Sequence, residues 1–221
     1  EAHKWAHLTE IDVQPVTGDE KSRLAALKRD ASIYACNYQN IPWLVDHYGA
    51  HWPFGTVVAD ESTRLKSFRL RQGGVRAQAL AKVAHKNVKR FINLTGTPAP
   101  NGLQDLWGQT WFLDAGQRLG RTYSAFTDRW FCRTADGFGR ELRSQSAADE
   151  IYNKLRDICL TIEARDWFDL NEPIVKEIEV EMPRSARRLY DQLKKDLILQ
   201  IEQHTITAAN AAVKTQKLLQ M

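Results

Sequence analysis

A short β-branched run that drives straight into two adjacent carboxylates constrains this chain more than any other stretch: Thr56 to Lys66 reads TVVADESTRLK. Val57, Val58 and Ala59 form a bounded apolar run of strand length, and a run without alternation suits a strand buried on both faces. Such strands belong to parallel sheets flanked by helices. Asp60 and Glu61 then stand at the strand's carboxyl end, where open α/β sheets place their ligands. Taken alone, the pair fits an exposed acidic turn better than a ligand site, so a functional meaning depends on the rest of the chain.

The preceding residues supply the expected context. Ile11, Val13 and Val16 mark a strand closed by Gly18, and residues 19–29 read as a charged helix with Leu24 and Leu27 inward. A second strand over 31–36 emerges at Asn37, Tyr38 and Gln39, a short helix follows over 41–48, and HWPFG turns the chain into the acidic strand. Strand, helix, strand, helix, strand predicts a parallel sheet with crossover helices. After Lys66 comes the basic stretch FRLRQGGVRAQALAKVAHKNVKR, whose helical part places Val75, Ala79, Val83 and Val88 inward. Most of its charges solubilise an outer face, while Arg69 and Arg71, in the loop beside the acids, are candidates to meet phosphates. Residues 91–95, FINLT, form a further strand that ends in GTPAPN. Thr95 and Thr97 straddle Gly96 ahead of Pro98, a rigid turn whose hydroxyls can bond a carboxylate or a phosphate.

Composition narrows the classes. At 221 residues, 43% hydrophobic and 26% charged, the chain can bury a sizeable core, and its net charge of +4 permits an anionic partner without requiring one. Cys36, Cys132 and Cys159 are odd in number and widely spaced, which suggests neither a disulfide framework nor a zinc knuckle and fits a reducing cytoplasm. No apolar run approaches the roughly 18 residues of a membrane span, and EAHKWAHL carries no signal-peptide core. His3 with His7, and His47 with His51, have metal-capable spacing but lack the neighbouring Glu of a zinc hydrolase. The expectation is a soluble intracellular protein.

Taken together, VVADESTRLK and INLTGTPAPN, in that order and joined by a basic helix, resemble motifs II and III of superfamily-two helicases. More narrowly the chain resembles the Swi/Snf-type DNA-dependent ATPases, including phage and bacterial members. The match runs through Asp60, Glu61, Leu65, Lys66, Leu94 to Pro98, Asn101, Leu106 and Trp107. It continues through Trp111 to Phe131, which is similar to the family's helical insertion and places Tyr123, Phe126 and Trp130 on one helix face as a packing stripe. A helix over 146–160, a strand over 174–182 and a helix over 185–203 complete the pattern. No G-x-x-x-x-G-K-[ST] occurs anywhere in the chain, nor do the family's C-terminal motifs.

The resemblance implies a partial RecA-like parallel sheet over 1–114, a helical insertion over 115–172, and a returning strand and helices over 173–221 leading toward a second lobe. It implies ATP and Mg²⁺ as cofactors in the intact parent, with Asp60 positioning the metal and Glu61 orienting and deprotonating the attacking water. Thr63, Thr95, Gly96 and Thr97 would couple that site to DNA, which is expected to be duplex and held mainly by phosphates, with Tyr38, Asn40, Arg69 and Arg71 as contacts. Arg64 and Lys66 are supporting residues. One departure stands out: where family members carry His as the fourth residue of the acidic box, this chain has Thr63, whose hydroxyl can reach toward Thr95 or a Gln but cannot carry an imidazole's charge. The alternative is a truncated, non-catalytic module that binds nucleic acid or a protein partner. A nuclease with Asp60 and Glu61 as metal ligands is a third reading, which nothing else in the sequence completes.

Overall fold

A computed structural model describes residues 4–135, 137, 139–162, 176–202, 213, 215, 216 and 219. The chain divides into two compact units, Glu1–Thr161 and Ile162–Met221.

The first unit is a mixed α/β body in which parallel strands are flanked by helices. β1 (Val13–Val16) pairs with β2 (Ile33–Cys36), Val13 opposite Ile33 and Val16 opposite Cys36. β3 (Thr56–Asp60) pairs with β4 (Arg90–Leu94), Thr56 opposite Arg90 and Asp60 opposite Leu94. Both ladders are parallel, as the alternation of strand and helix requires. They are nevertheless two separate two-stranded sheets instead of one continuous sheet, because β2 and β3 do not hydrogen-bond to each other.

The helices start where side chains can cap them. α1 (Glu20–Leu27) begins at Asp19, which accepts a bond from the Ser22 amide at 2.8 Å, and α2 (Ile41–Tyr48) carries a proline in its first turn. α3 (Val75–Ala84) buries Ala77, Ala79, Leu80, Val83 and Ala84. Val75, expected inward, is 74% exposed, since it is the first helical residue after Gly74 and precedes the stripe that faces the core. α4 (Leu106–Asp114) is apolar nearly all round and correspondingly buried. α5 (Tyr123–Trp130) is capped by Thr122 and α6 (Gln145–Leu155) by Ser144. Between them β5 (Phe131–Arg133) and β6 (Arg140–Leu142) form an antiparallel hairpin.

Within the first unit, residues after Asp114 share one core with those before it. Phe126, Trp130, Phe131, Ile151 and Leu155 belong to the same buried cluster as Leu65, Phe68, Trp107 and Phe112. The aromatic stripe of α5 is therefore packing, as its spacing predicts: Phe126 and Trp130 are buried and Tyr123 is half-buried.

Gly108 sets how closely α4 approaches the turn after β3. A Cβ there would lie 2.6 Å from both the Leu65 and Lys66 carbonyl oxygens. Gly108→Ala gains roughly 1 kcal/mol of helix propensity, but the obstructing atoms are backbone and cannot swing aside, so overpacking of about 1–3 kcal/mol should dominate. A lowered urea midpoint at unchanged slope would report this; an unchanged or raised midpoint would show that the contact is looser than described.

In the second unit, α7 (Arg184–Glu202) follows Pro183, and its Leu197 is buried while Leu189 is exposed; the side chain of Ile201 lies outside the described residues. The strand expected over 174–182 is not formed by its described part. Residues 176–183 are irregular, with Ile178 and Val180 exposed, because an alternating pattern makes a strand only where a neighbour completes the ladder, and none does so among the described residues. Ile174 and Val175 lie outside the described residues.

Candidate functional site

Asp60 closes β3, and the next residue breaks the strand in a way that few side chains tolerate. Glu61 adopts left-handed backbone geometry, φ 54° and ψ 55°, a conformation that costs a non-glycine residue on the order of 1 kcal/mol and concentrates at functional sites. The kink turns the chain into the short 3₁₀ turn Ser62–Leu65. It leaves both acids exposed and Ser62 fully buried.

Two threonine hydroxyls meet the second acid. The Glu61 carboxylate accepts hydrogen bonds through Oε1 from Thr63 Oγ1 at 2.7 Å and from Thr95 Oγ1 at 3.3 Å. The Thr97 amide donates to Thr95 Oγ1 at 3.1 Å, and the Glu61 amide donates to Asp60 Oδ1 at 3.0 Å. Nothing lies within 4 Å of where a Gly96 side chain would stand, so the turn faces open space. Thr63 thus does not bond to Thr95 or to a glutamine; both threonines converge on Glu61.

The glutamine is reached by Ser62 instead. Ser62 Oγ donates to Gln109 Oε1 at 2.8 Å, and Gln109 Nε2 donates to the carbonyls of Pro98, at 2.6 Å, and Asp105, at 3.0 Å. Asn93 Nδ2 of β4 donates to the Gln109 carbonyl at 3.0 Å. One buried side chain of α4 therefore ties the acid turn to the turn after β4. Sequence reading passed over it, although a glutamine inside the apolar helix LWGQTWFL had to find buried partners. Ser62→Ala would strand Gln109 Oε1, with an expected loss of about 1–3 kcal/mol in denaturant unfolding. A loss within a few tenths of a kcal/mol would mean water replaces the serine.

A cavity of about 550 Å³ opens beside the acids, lined by Cys36, Asn37, Tyr38, Gln39, Asp60, Glu61 and Arg64. The exits of β2 and β3 thus meet at one place, as strand-end ligand sites require. The Arg64 guanidinium lies 5.5 Å from the centroid of the Tyr38 ring. Burial pushes the Tyr38 phenol up to about 12, with the charges of Asp60 and Glu61 adding to the rise and Arg64 opposing it. Its Oη is buried without a hydrogen-bond partner among the described residues.

The four expected nucleic-acid contacts separate. Tyr38 lines the acid cavity. Asn40 is occupied, accepting from Arg23 Nη1 at 2.8 Å and donating to the Val16 carbonyl. Arg69 is held inward: Nη1 donates to the carbonyls of Lys66 and Phe68, and its guanidinium lies 3.3 Å from the centroid of the Tyr123 ring. Arg71 is exposed in the following turn. Lys66 is structural too, paired with Asp105 at 3.3 Å. Of the histidines at metal spacing, His3 lies outside the described residues, while His47 stacks on Trp43. No helix is long and apolar enough to cross a membrane among the described residues.

Two carboxylates at a strand end suit a hard cation such as Mg²⁺, which takes one or two carboxylates and completes its shell with water and phosphate oxygens. Among the described residues no group of three or more His, Cys, Asp or Glu is placed to hold a metal ion by itself. The residues therefore fit a metal that arrives with a phosphate ligand.

Comparison with known proteins places the chain in a family. The sequence matches the SNF2-related domain over residues 1–221. It is 55% identical over 225 residues to protein p41 of Acyrthosiphon pisum secondary endosymbiont phage 1, covering 100% of this chain and 49% of that protein. Helicase SWR1 of Saccharomyces cerevisiae is 31% identical over 117 residues, covering 47% of this chain and 7% of SWR1. Among solved structures, the Sulfolobus solfataricus SWI2/SNF2 ATPase core in complex with dsDNA matches with a TM-score of 0.54 at 20% identity, over 98% of this chain and 43% of that one. The chain thus spans about half the length of the phage relative and less of the others.

Proposed function

The chain belongs to the SNF2-related domain family, and from that premise we propose that it is the acid-bearing part of an ATP-driven motor that acts on duplex DNA. The observation that carries the reading is Glu61, an exposed carboxylate in strained backbone geometry, gripped by the hydroxyls of Thr63 and Thr95 from two different turns.

In this reading Asp60 would hold the Mg²⁺ that accompanies ATP, and the metal would supply charge compensation for the phosphates. Glu61 orients the attacking water and takes its proton. Neighbouring residues across the kink point apart, so one acid serves the metal and the other the water. Thr95 and Thr97 read the state of Glu61. A change at the carboxylate alters the Thr95 bond, and Gln109 passes strain from Ser62 to the Pro98 carbonyl on the same turn. Arg71 is the side chain best placed to meet a DNA phosphate, since Asn40 and Arg69 are committed to the fold.

These 221 residues contain no Gly-Lys phosphate loop, so the cradle for the β- and γ-phosphates comes from outside them. The test belongs on a polypeptide that joins this domain to the remainder found in its relatives. ATP hydrolysis there should rise at least tenfold with duplex DNA and lose that stimulation as salt increases. Hydrolysis indifferent to DNA would reject the motor reading, and salt-sensitive DNA binding without hydrolysis would favour a non-catalytic binding module.

A further inference from the structure

A protein that grips duplex DNA by its backbone needs several cations that meet phosphates together. Of the four contacts expected from the sequence, Tyr38 carries no positive charge, and Asn40 and Arg69 are committed to the fold, which leaves Arg71. Other cations must complete the grip. The structure gathers three arginines at the β5–β6 hairpin: Arg133 closes β5, Arg140 opens β6, and Arg143 follows β6.

Arg133 stands directly opposite Arg140 across the antiparallel ladder. Residues paired in this way project from one face with Cβ atoms about 4.5–5.5 Å apart, and like charges so placed destabilise the pair. Glu141 does not relieve them, because it stands opposite Cys132 and therefore on the other face. The carboxylate that does approach is Asp128, at 3.5 Å from Arg140 Nη1, and the Asp128 backbone carbonyl also accepts from Arg143 Nη2 at 3.0 Å. Arg133 has no ion pair among the described residues, and all three arginines are exposed. A guanidinium presents five N–H donors in a planar fork that fits two phosphate oxygens at once. Two such forks side by side on one sheet face are complementary to an anion of that shape.

The hairpin is also firmly held. Phe131 is buried, and the Arg143 amide donates to the Trp130 carbonyl at 3.0 Å. Gln104 Nε2, in the turn after β4, donates to the Arg140 carbonyl at 3.0 Å, while Gln104 Oε1 accepts from Tyr123 Oη at 2.9 Å. The Tyr123 ring in turn carries the Arg69 guanidinium. These contacts fix the backbone of Arg140 and tie the hairpin to the loop that carries Arg71, so one duplex can meet both. Cations on a fixed base lose less freedom on binding than the same charges on a free loop.

We propose that the β5–β6 hairpin is a contact of this domain with the DNA backbone, in which Arg133 and Arg140 together clamp a phosphate and Arg143 supports them. The ligand is the phosphodiester of a nucleic-acid strand, held by charge and shape without base readout. The proposal rests on the DNA-binding part of the reading above and not on the roles given to the acids.

The test measures duplex binding by fluorescence anisotropy across a range of salt, without nucleotide, in the polypeptide that joins this domain to the remainder found in its relatives. Arg133→Gln with Arg140→Gln should weaken binding at least tenfold on duplexes of unrelated sequence and lower the slope of log affinity against log salt by about 2. Arg133→Lys with Arg140→Lys keeps both charges and should restore the slope. Because Arg140 also meets Asp128, Arg133→Gln alone serves as the cleaner variant: its slope should fall by about 1 with the thermal midpoint unchanged. Normal binding and slope in the double Gln variant, beside a wild type that binds duplex, would overturn the hairpin contact while sparing the motor reading, and would leave the arginines to an acidic protein. Weaker binding with an unchanged slope and a lowered midpoint would overturn it too, as a structural effect. A wild type that binds no duplex would overturn it together with the DNA-binding reading.

Discussion

Glu61→Gln should reduce ATP turnover by about 10²–10⁴-fold in the polypeptide that joins this domain to the rest of its family's core, while leaving nucleotide binding within a few fold. The substitution is nearly isosteric, so the amide oxygen can still accept from Thr63 and Thr95 and the left-handed kink survives. What disappears is the negative charge proposed to take a proton from water. Asp60→Asn separates the roles, since losing the metal's carboxylate should weaken Mg²⁺-dependent nucleotide binding as well as turnover. Single-turnover hydrolysis and a fluorescent nucleotide titration measure the two effects. Normal turnover in Glu61→Gln would assign the proton transfer elsewhere and remove the main support for the motor reading.

The two strand ends were within reach of the sequence because each depended on local chemistry, whereas the roles proposed for the acids came from the family resemblance. A β-branched run into Asp-Glu, and a second run into a Thr-Gly-Thr-Pro turn, define two strand ends whatever the rest of the chain does. Parallel pairing of β3 with β4 then brings Thr95 to Glu61. Helix starts were legible for the same reason, since Asp19, Thr122 and Ser144 cap through bonds three residues away.

Features that depend on distant partners were not legible. Arg69 reads as a free loop cation, yet the Tyr123 ring, 54 positions on, takes its guanidinium. Ser62 reads as a spacer in the acidic box, yet it is the buried half of a pair with Gln109. The β5–β6 hairpin has strands too short for any periodicity, and Gly137, at φ 74°, lies in its turn. The strand expected over 174–182 has the right alternation and no ladder partner among the described residues. A pattern states which face a segment would bury, while its neighbours decide whether it does. The division of the sheet into two ladders is the same lesson at larger scale.

The largest stability effect is expected at Trp107, the residue that α4 drives into the core behind the acid turn. Its indole is 1% exposed, lies parallel to Phe68 at a centroid distance of 6.1 Å, meets Tyr123 edge-on, and donates through Nε1 to the Gly120 carbonyl at 2.9 Å. Trp107→Ala removes the ring, opens a cavity and leaves the Gly120 carbonyl short of a donor, an expected cost of about 3–5 kcal/mol. Domains of this size are commonly stable by only about 5–15 kcal/mol, so the loss removes a large share of that stability and should lower the unfolding midpoint markedly. Trp107→Phe keeps an aromatic ring against Phe68 and loses chiefly the indole donor, so it should cost less than half as much. The effect should spread to the site, because α4 also holds Gln109, and with it the Pro98 and Asp105 carbonyls. Urea unfolding followed by fluorescence and circular dichroism ranks the variants. If Trp107→Ala costs under 1 kcal/mol, the core behind the acids is not the support described, and the strain at Glu61 must be held by the two threonines alone.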